Sequence, residues 1–248
     1  MELKDFRGLF QKHSSIEELC FHADTPGEKI FLQGLVGSSR SIVVSFLAEK
    51  LSRPLIVCLD DKEEASYFYD DLMTFDIRPP VLFFPSSYKR AVQYEKIEQE
   101  NIILRTEVLN KLKELKKLVV VTYPEALVEN VISGSGLDSH TFRIKKGDKL
   151  SIEFINDVLF EYGFERCDFV YEPGQYSVRG SIVDIYSFSN EDPYRLDFFG
   201  DEVDSIRSFD IETQVSKERL EKIYIIPNIQ EELNDEERIS FFDFIPAK

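Results

Sequence analysis

Short apolar runs alternate with amphipathic stretches along the first half of the chain. The runs are continuous rather than alternating, which is typical of strands buried on both faces of a parallel sheet. The predicted strands are 29–33, 54–59, 81–84 and 118–122. The predicted helices between them, where apolar residues recur at helical spacing, are 39–51, 61–76 and 95–117. This order predicts a doubly wound α/β domain over residues 1–137.

The pattern changes after residues 133–139, which are small and polar and predict a linker. One helix at about 151–162 is then followed by strands in succession, the order of an α+β domain. The predicted strands are 164–171, 176–186, 194–199 and 202–209, and residues 217–227 are predicted to form a helical turn leading into an exit strand. We therefore predict a second, smaller domain over 138–228, with 229–248 as an acidic linker or the start of a further segment.

Composition narrows the classes of partner. The 248 residues carry a formal net charge of -16, which repels phosphate backbones and argues against strong DNA binding. Three cysteines and three histidines are scattered without metal-ligand spacing, so we expect neither a metal nor a disulfide framework. The charged N-terminus and the lack of a long apolar run exclude a signal peptide and a membrane span, and we expect a cytoplasmic protein.

A glycine-containing loop follows the first predicted strand and opens a helix, the position of a phosphate-binding loop. The loop, which also contains Gly37, keeps the motif residues Gly34 and Ser41, but Ser39 replaces the second motif glycine and Arg40 replaces the lysine. A compact ammonium reaches the β- and γ-phosphates, and glycine lets the backbone approach them; both features are lost here. We therefore predict a degenerate loop of an NTPase-like domain, without cofactor or catalysis, in which 34–41 is mainly a strand-to-helix turn.

Two arginines and a phenylalanine form the most informative constellation. Arg179 and Arg195 fall in strand-like runs that a polar turn separates, so we expect them on adjacent antiparallel strands. On period-2 alternation, Phe199 lies on the same side as Arg195. Guanidinium groups beside an exposed ring are typical of a protein-binding hot spot. In the alternative, the arginines pair with Asp184, Asp197 or Asp201 and Phe199 turns into the core.

The stretches 172–185 and 194–207 closely resemble the UvrB-type second domain of nucleotide excision repair proteins, especially that of the transcription-repair coupling factor (Mfd) family. The resemblance of residues 1–135 is weaker and depends on the loop at 34–41, on Phe84-Pro85 and on residues 119–126. In that family the positions of Arg179, Arg195 and Phe199 are implicated in docking to UvrA. We expect these three residues to form one exposed patch, so that Arg195→Ala or Phe199→Ala would remove UvrA binding at little cost in stability.

The resemblance implies a non-catalytic, UvrA-recruiting module that links stalled RNA polymerase to nucleotide excision repair. It also implies a full-length protein that is an ATP-dependent DNA translocase, whose C-terminal region covers the docking surface at rest. The alternatives are a UvrB-like damaged-DNA-binding module and an ATP-dependent helicase fragment. The degenerate loop opposes the helicase. The short loop 86–95, with Tyr88 and Tyr94 as its aromatics, opposes a damage-reading hairpin.

Overall fold

The computed structural model describes residues 7–8, 10, 13–87, 99–228 and 238–245. The chain forms two compact units, one of residues 1–86 with 108–129 and the other of residues 87–107 with 130–248. The predicted linker at 133–139 falls inside the second unit. The domain bounds inferred from the sequence, 1–137 and 138–228, stay predictions. Most of the loop 86–95, including Tyr88 and Tyr94, lies outside the described residues.

The first unit contains a three-stranded parallel sheet in the order β1-β3-β2. Its elements are α1 (Ser14–Ala23), α2 (Ser39–Lys50), β1 (Leu55–Cys58), α3 (Lys62–Thr74), β2 (Val81–Phe83), α4 (Gln99–Glu114, which begins in the second unit), β3 (Val119–Thr122) and α5 (Pro124–Leu127). All four residues of the central strand β3 are buried, as its continuous apolar run predicts. Helix α3 begins where the Asp61 side chain accepts a hydrogen bond from Glu64 N at 2.8 Å.

The predicted first strand, residues 29–33, does not form. The segment is extended but belongs to none of the ladders between described residues, and Phe31 is 87% exposed. An apolar run becomes a strand only where a neighbouring strand supplies partners for its N–H and C=O groups. Hydrophobicity along the chain carries no information about that neighbour, which is why this prediction was wrong.

The second unit is built around a six-stranded sheet in the order β11-β10-β9-β8-β7-β6. Its elements are β4 (Val131–Ile132), α6 (Gly134–Ser139), β5 (Phe142–Lys145), α7 (Ile152–Glu161), β6 (Glu165–Arg166), β7 (Gln175–Arg179), β8 (Ile182–Tyr186), β9 (Tyr194–Phe199), β10 (Glu202–Phe209), β11 (Ser216–Leu220), β12 (Lys222–Ile225), β13 (Arg238–Ile239) and α8 (Phe241–Phe244). Neighbouring strands are antiparallel except β6 and β7. The chain is therefore a mixed α/β protein with parallel and antiparallel sheets.

The core of the second unit lies on one face of this sheet. Alternate residues of the strands point to that face, among them Val183, Leu196 and Ile206. Helix α7 covers them with Ile155 and Leu159, which are each 1% exposed. Full burial of a side chain of this size contributes about 2 kcal/mol. The other face of the sheet carries polar residues of the same strands together with a smaller apolar cluster.

Several predicted bounds in the second unit were wrong for local reasons. Residues 134–139 form α6 because the Ser133 hydroxyl accepts a hydrogen bond from Gly136 N at 3.0 Å, which caps a helix. The run 176–186 is a hairpin rather than one strand, since Gly180 takes a φ of +62° at the turn. In the region 217–227, β11 forms instead of the predicted helical turn, whereas β12 agrees with the predicted exit strand. Only Glu165–Arg166 of the predicted strand 164–171 pairs.

Candidate docking surface on the second unit

The surface that carries the predicted site lies on the face of the six-stranded sheet opposite α7, which we call the polar face. Arg179 on β7, Asp184 on β8 and Arg195 on β9 point to it, because their neighbours in sequence fill the core. Towards one end of this face, Tyr186 and Phe209 pack with Ile102 and Ile103 in a smaller apolar cluster. The remainder of the face carries Arg179, Asp184 and Arg195.

A single carboxylate joins the two predicted arginines. Asp184 is fully buried, and it accepts hydrogen bonds from Arg195 Nε at 2.7 Å and from Arg195 Nη2 at 2.9 Å. Arg179 Nη2 donates to the same carboxylate. The hydrogen bond to Asp184 raises the pKa of Arg195, so this guanidinium stays charged. Two cations and one buried anion therefore form a cluster with net positive charge.

The structure contradicts two parts of the predicted arrangement. Arg179 and Arg195 are not on adjacent strands, because β8 lies between β7 and β9. Nor is Arg195 an exposed member of the patch, since its side chain is only 14% exposed. It donates to the backbone O of Gln214 at 3.3 Å and to that residue's Oε1 at 3.1 Å, and it lies 4.2 Å from the centre of the Phe209 ring. Arg195 is therefore mostly buried, and it stabilises the sheet by pairing with Asp184.

Arg179 is the more accessible of the two arginines, with 34% of its side chain exposed. Its Nη1 donates to the backbone O of Asp168 at 3.0 Å, and its guanidinium lies 4.7 Å from the centre of the Phe169 ring. Gly180 follows directly at the hairpin turn. Arg179 is thus held by a carboxylate, a carbonyl and a ring, with part of its side chain open to solvent.

Phe199 lies at the end of β9 and is 84% exposed. It pairs with Glu202 across a two-residue turn that Gly200 begins with a φ of +62°. Because Arg195 and Phe199 are four residues apart on one strand, they point to the same side of the sheet. The exposed ring agrees with the hot-spot hypothesis and contradicts the alternative in which Phe199 turns into the core. For the arginines, the alternative pairing with Asp184 is the one observed.

Sequence reasoning missed three features of this face. Phe169, the aromatic partner of Arg179, lies in a segment that was predicted to be strand. Arg207 pairs with Asp197, which also accepts from the Ser205 hydroxyl at 2.8 Å. Arg219 lies opposite Arg207 on the neighbouring strand. The polar alternation within 202–209 signals Arg207, but no local pattern shows which residues face each other across strands.

The predicted phosphate loop turns through two glycines in the left-handed region, Gly34 at a φ of +86° and Gly37 at +54°. Ser39 Oγ donates to Val36 O at 2.8 Å. The two motif side chains that follow are both bound to carboxylates: Arg40 Nη2 lies 2.5 Å from Glu64 Oε1, and Ser41 Oγ donates to Asp71 Oδ2 at 2.6 Å.

These contacts affect the charge around the loop. The hydrogen bond from Arg40 lowers the pKa of Glu64, so that this carboxyl is ionised at neutral pH. A phosphate placed at the loop would compete with two carboxylates for the groups that could bind it. The arrangement therefore disfavours an anion at this position.

Comparison with known proteins agrees with the architecture of the second unit. Residues 142–230 match the family described as the UvrB interaction domain. The chain is 30% identical over 203 residues, 81% of its length, to the transcription-repair-coupling factor of Escherichia coli strain K12, and 33% identical over 197 residues, 79% of its length, to that of Bacillus subtilis strain 168. The chain belongs to the UvrB-homology modules of transcription-repair-coupling factors.

The similarity covers only part of each coupling factor, and a second group of proteins shares it. The chain spans 17% of the length of each of these two coupling factors, so it is similar to one part of them. It is also 26% identical over 220 residues to the UvrABC system protein B of Thermosipho africanus, of which it spans 33%. The names of these relatives refer to transcription-repair coupling and to the UvrABC system. No helix among the described residues is long and apolar enough to cross a membrane.

Proposed function

We propose that this module recruits UvrA to a transcription-repair-coupling factor, and that it does so without catalysis of its own. The observation that carries the proposal is the solvent-exposed ring of Phe199 on the same face of the sheet as the Arg179–Asp184–Arg195 cluster, within the segment that matches the UvrB interaction domain. Aromatic rings and guanidinium groups are the residue types that most often dominate the binding energy of a protein interface. The neighbouring guanidinium groups favour an acidic partner surface.

The loop at 34–41 supports the non-catalytic part of the proposal. Arg40 and Ser41 are bound to Glu64 and Asp71 instead of being available to a nucleotide and its metal ion. The first unit then serves as an NTPase-like scaffold, and the ATP-dependent translocation of DNA belongs to other parts of the full-length protein. In that protein the module would link stalled RNA polymerase to UvrA, in the cytoplasm, and its C-terminal region would cover the polar face at rest.

Weak binding to DNA is the second expectation of this proposal. The formal net charge of -16 opposes association with a phosphate backbone. A UvrB-like damage reader is the competing function, and it would show clear preference for a lesion-bearing duplex over an intact one at physiological salt. Fluorescence anisotropy with both duplexes distinguishes the two functions.

The direct test is titration of purified UvrA with the parent chain and with Phe199→Ala. We expect the substitution to weaken binding by about 2 kcal/mol or more, which is about 30-fold in affinity, while the melting temperature stays nearly unchanged. Phe160→Ala is the matched control, because Phe160 is a 76% exposed phenylalanine at the end of α7, away from the strands of the polar face. Equal affinity of Phe199→Ala and Phe160→Ala for UvrA would refute the proposal.

A further inference from the structure

Three arginines lie in one row across the polar face. In the strand register, Arg195 on β9 is opposite Arg207 on β10, and Arg207 is opposite Arg219 on β11. Directly opposed residues point to the same side of an antiparallel sheet, so all three side chains share the polar face. With strands about 4.8 Å apart, the row is about 10 Å long. At one end of the row, Asp184 on β8 is opposite Arg195.

Like charges in direct opposition destabilise a sheet, so each arginine of the row needs a compensating group. Arg195 has Asp184, and Arg207 has Asp197 on β9. Arg219 is exposed, and among the described residues its side chain has no ion pair and no hydrogen bond. The free end of the row is therefore an uncompensated cation in a chain whose net charge is -16.

We propose that Arg219 extends the docking surface to the edge strand β11, where it binds a carboxylate on the acidic surface of the same UvrA-type partner. This inference rests on the proposed function and adds to it the path of the interface, from the hairpin turn at Phe199 across the sheet to Arg219. The partner must then present a carboxylate at the edge strand, about 10 Å from the strand that carries Arg195. A protein partner fits better than nucleic acid, because a phosphate backbone carries continuous negative charge that the net charge of -16 repels, whereas a protein needs only a local carboxylate at this point.

An exposed cation at the edge of an interface acts mainly on the association rate and on its salt dependence. Arg219→Glu should therefore lower the affinity for UvrA about tenfold, chiefly through slower association, and should flatten the dependence of that rate on salt. Its melting temperature should equal that of the parent or exceed it, since the substitution removes a like charge opposite Arg207. Arg219→Gln should show the same direction with a smaller effect.

Arg143→Glu is the matched control. Arg143 is also an exposed strand arginine without an ion pair among the described residues, but it lies on β5, which pairs with β12 outside the six-stranded sheet. We expect this reversal of charge to leave association with UvrA within about twofold of the parent. Equal association rates for Arg219→Glu and Arg143→Glu would overturn the inference.

Comparison of the Phe199 and Arg219 variants, and a measurement of duplex binding, distinguish failure of this inference from failure of the proposed function. If Phe199→Ala weakens UvrA binding but Arg219→Glu does not, the proposed function stands and the extended surface is wrong; if neither weakens it, the proposed function fails as well. A duplex oligonucleotide provides the second measurement. Loss of salt-sensitive duplex binding in Arg219→Glu, with UvrA binding intact, would assign the row to nucleic acid and refute a protein partner.

Discussion

Replacement of Arg195 by alanine should destabilise the second unit strongly, although the sequence suggested an exposed position. The change removes two charge-assisted hydrogen bonds to the fully buried Asp184, and it removes the contact with the Phe209 ring. Breaking a buried ion pair typically lowers the free energy of unfolding by about 3–5 kcal/mol. Loss of a partly buried cation–π contact adds about 0.5–1 kcal/mol. Because Asp184 keeps its bond from Arg179, we expect a loss at the lower end, about 3 kcal/mol.

The assay is urea denaturation of the whole chain followed by circular dichroism, with thermal unfolding beside it. A loss of about 3 kcal/mol lowers the melting temperature of a unit of about 140 residues by about 10 °C. Arg195→Lys should be intermediate, since an ammonium cannot replace the bidentate fork. Arg143→Ala is the control and should stay within about 0.5 kcal/mol of the parent.

An Arg195→Ala variant that unfolds within about 1 kcal/mol of the parent would refute this reasoning. In that case the ion cluster would not stabilise the sheet, and Arg195 could contribute to docking directly. If the variant is destabilised as expected, its loss of UvrA binding reports unfolding rather than a lost contact. Phe199 and Arg219 are for this reason the better probes of the interface.

Three other predictions concern separate parts of the chain. Burial raises the pKa of Tyr194 to about 12; the neutral phenol therefore stabilises the fold fully below about pH 10, and that contribution, about 3 kcal/mol, is lost as the pH rises through about 12. Urea titrations at about pH 9 and about pH 11.5 should show a larger loss for the parent than for Tyr194→Phe, and equal losses would contradict it. Gly180→Ala should cost about 1 kcal/mol because alanine is strained at a φ of +62°, whereas Gly134→Ala should be neutral, as its φ is not positive and nothing lies within 4 Å of the added carbon; similar melting temperatures would argue against strain. Calorimetry should detect no micromolar binding of ATP with magnesium, given the carboxylates bound to Arg40 and Ser41; measurable turnover would restore the helicase alternative.

The sequence alone determined the features that depend on local geometry. The helix predicted at about 151–162 is confirmed at 152–161, and the strands 194–199 and 202–209 are found as predicted. The exposure of Phe199 agrees with alternation, because side chains on a strand change face with every residue, but the sequence left open the alternative in which the ring turns into the core. The second stretch of the resemblance, 194–207, covers these strands, and the match to the UvrB interaction domain agrees with it.

Only the tertiary structure decided which residues meet. The hairpin at Gly180 inserts β8 between the two arginines, and this brings the buried Asp184 between them and turns Arg195 into a support. The same register brings Arg207 opposite Arg219, and the lack of a ladder among the described residues leaves 29–33 unpaired. Alternation is a property of one strand, but register and strand order depend on turn geometry and on hydrogen bonds between segments that are distant in sequence. The sequence of a single strand therefore does not show whether its arginine binds a partner protein or a buried aspartate.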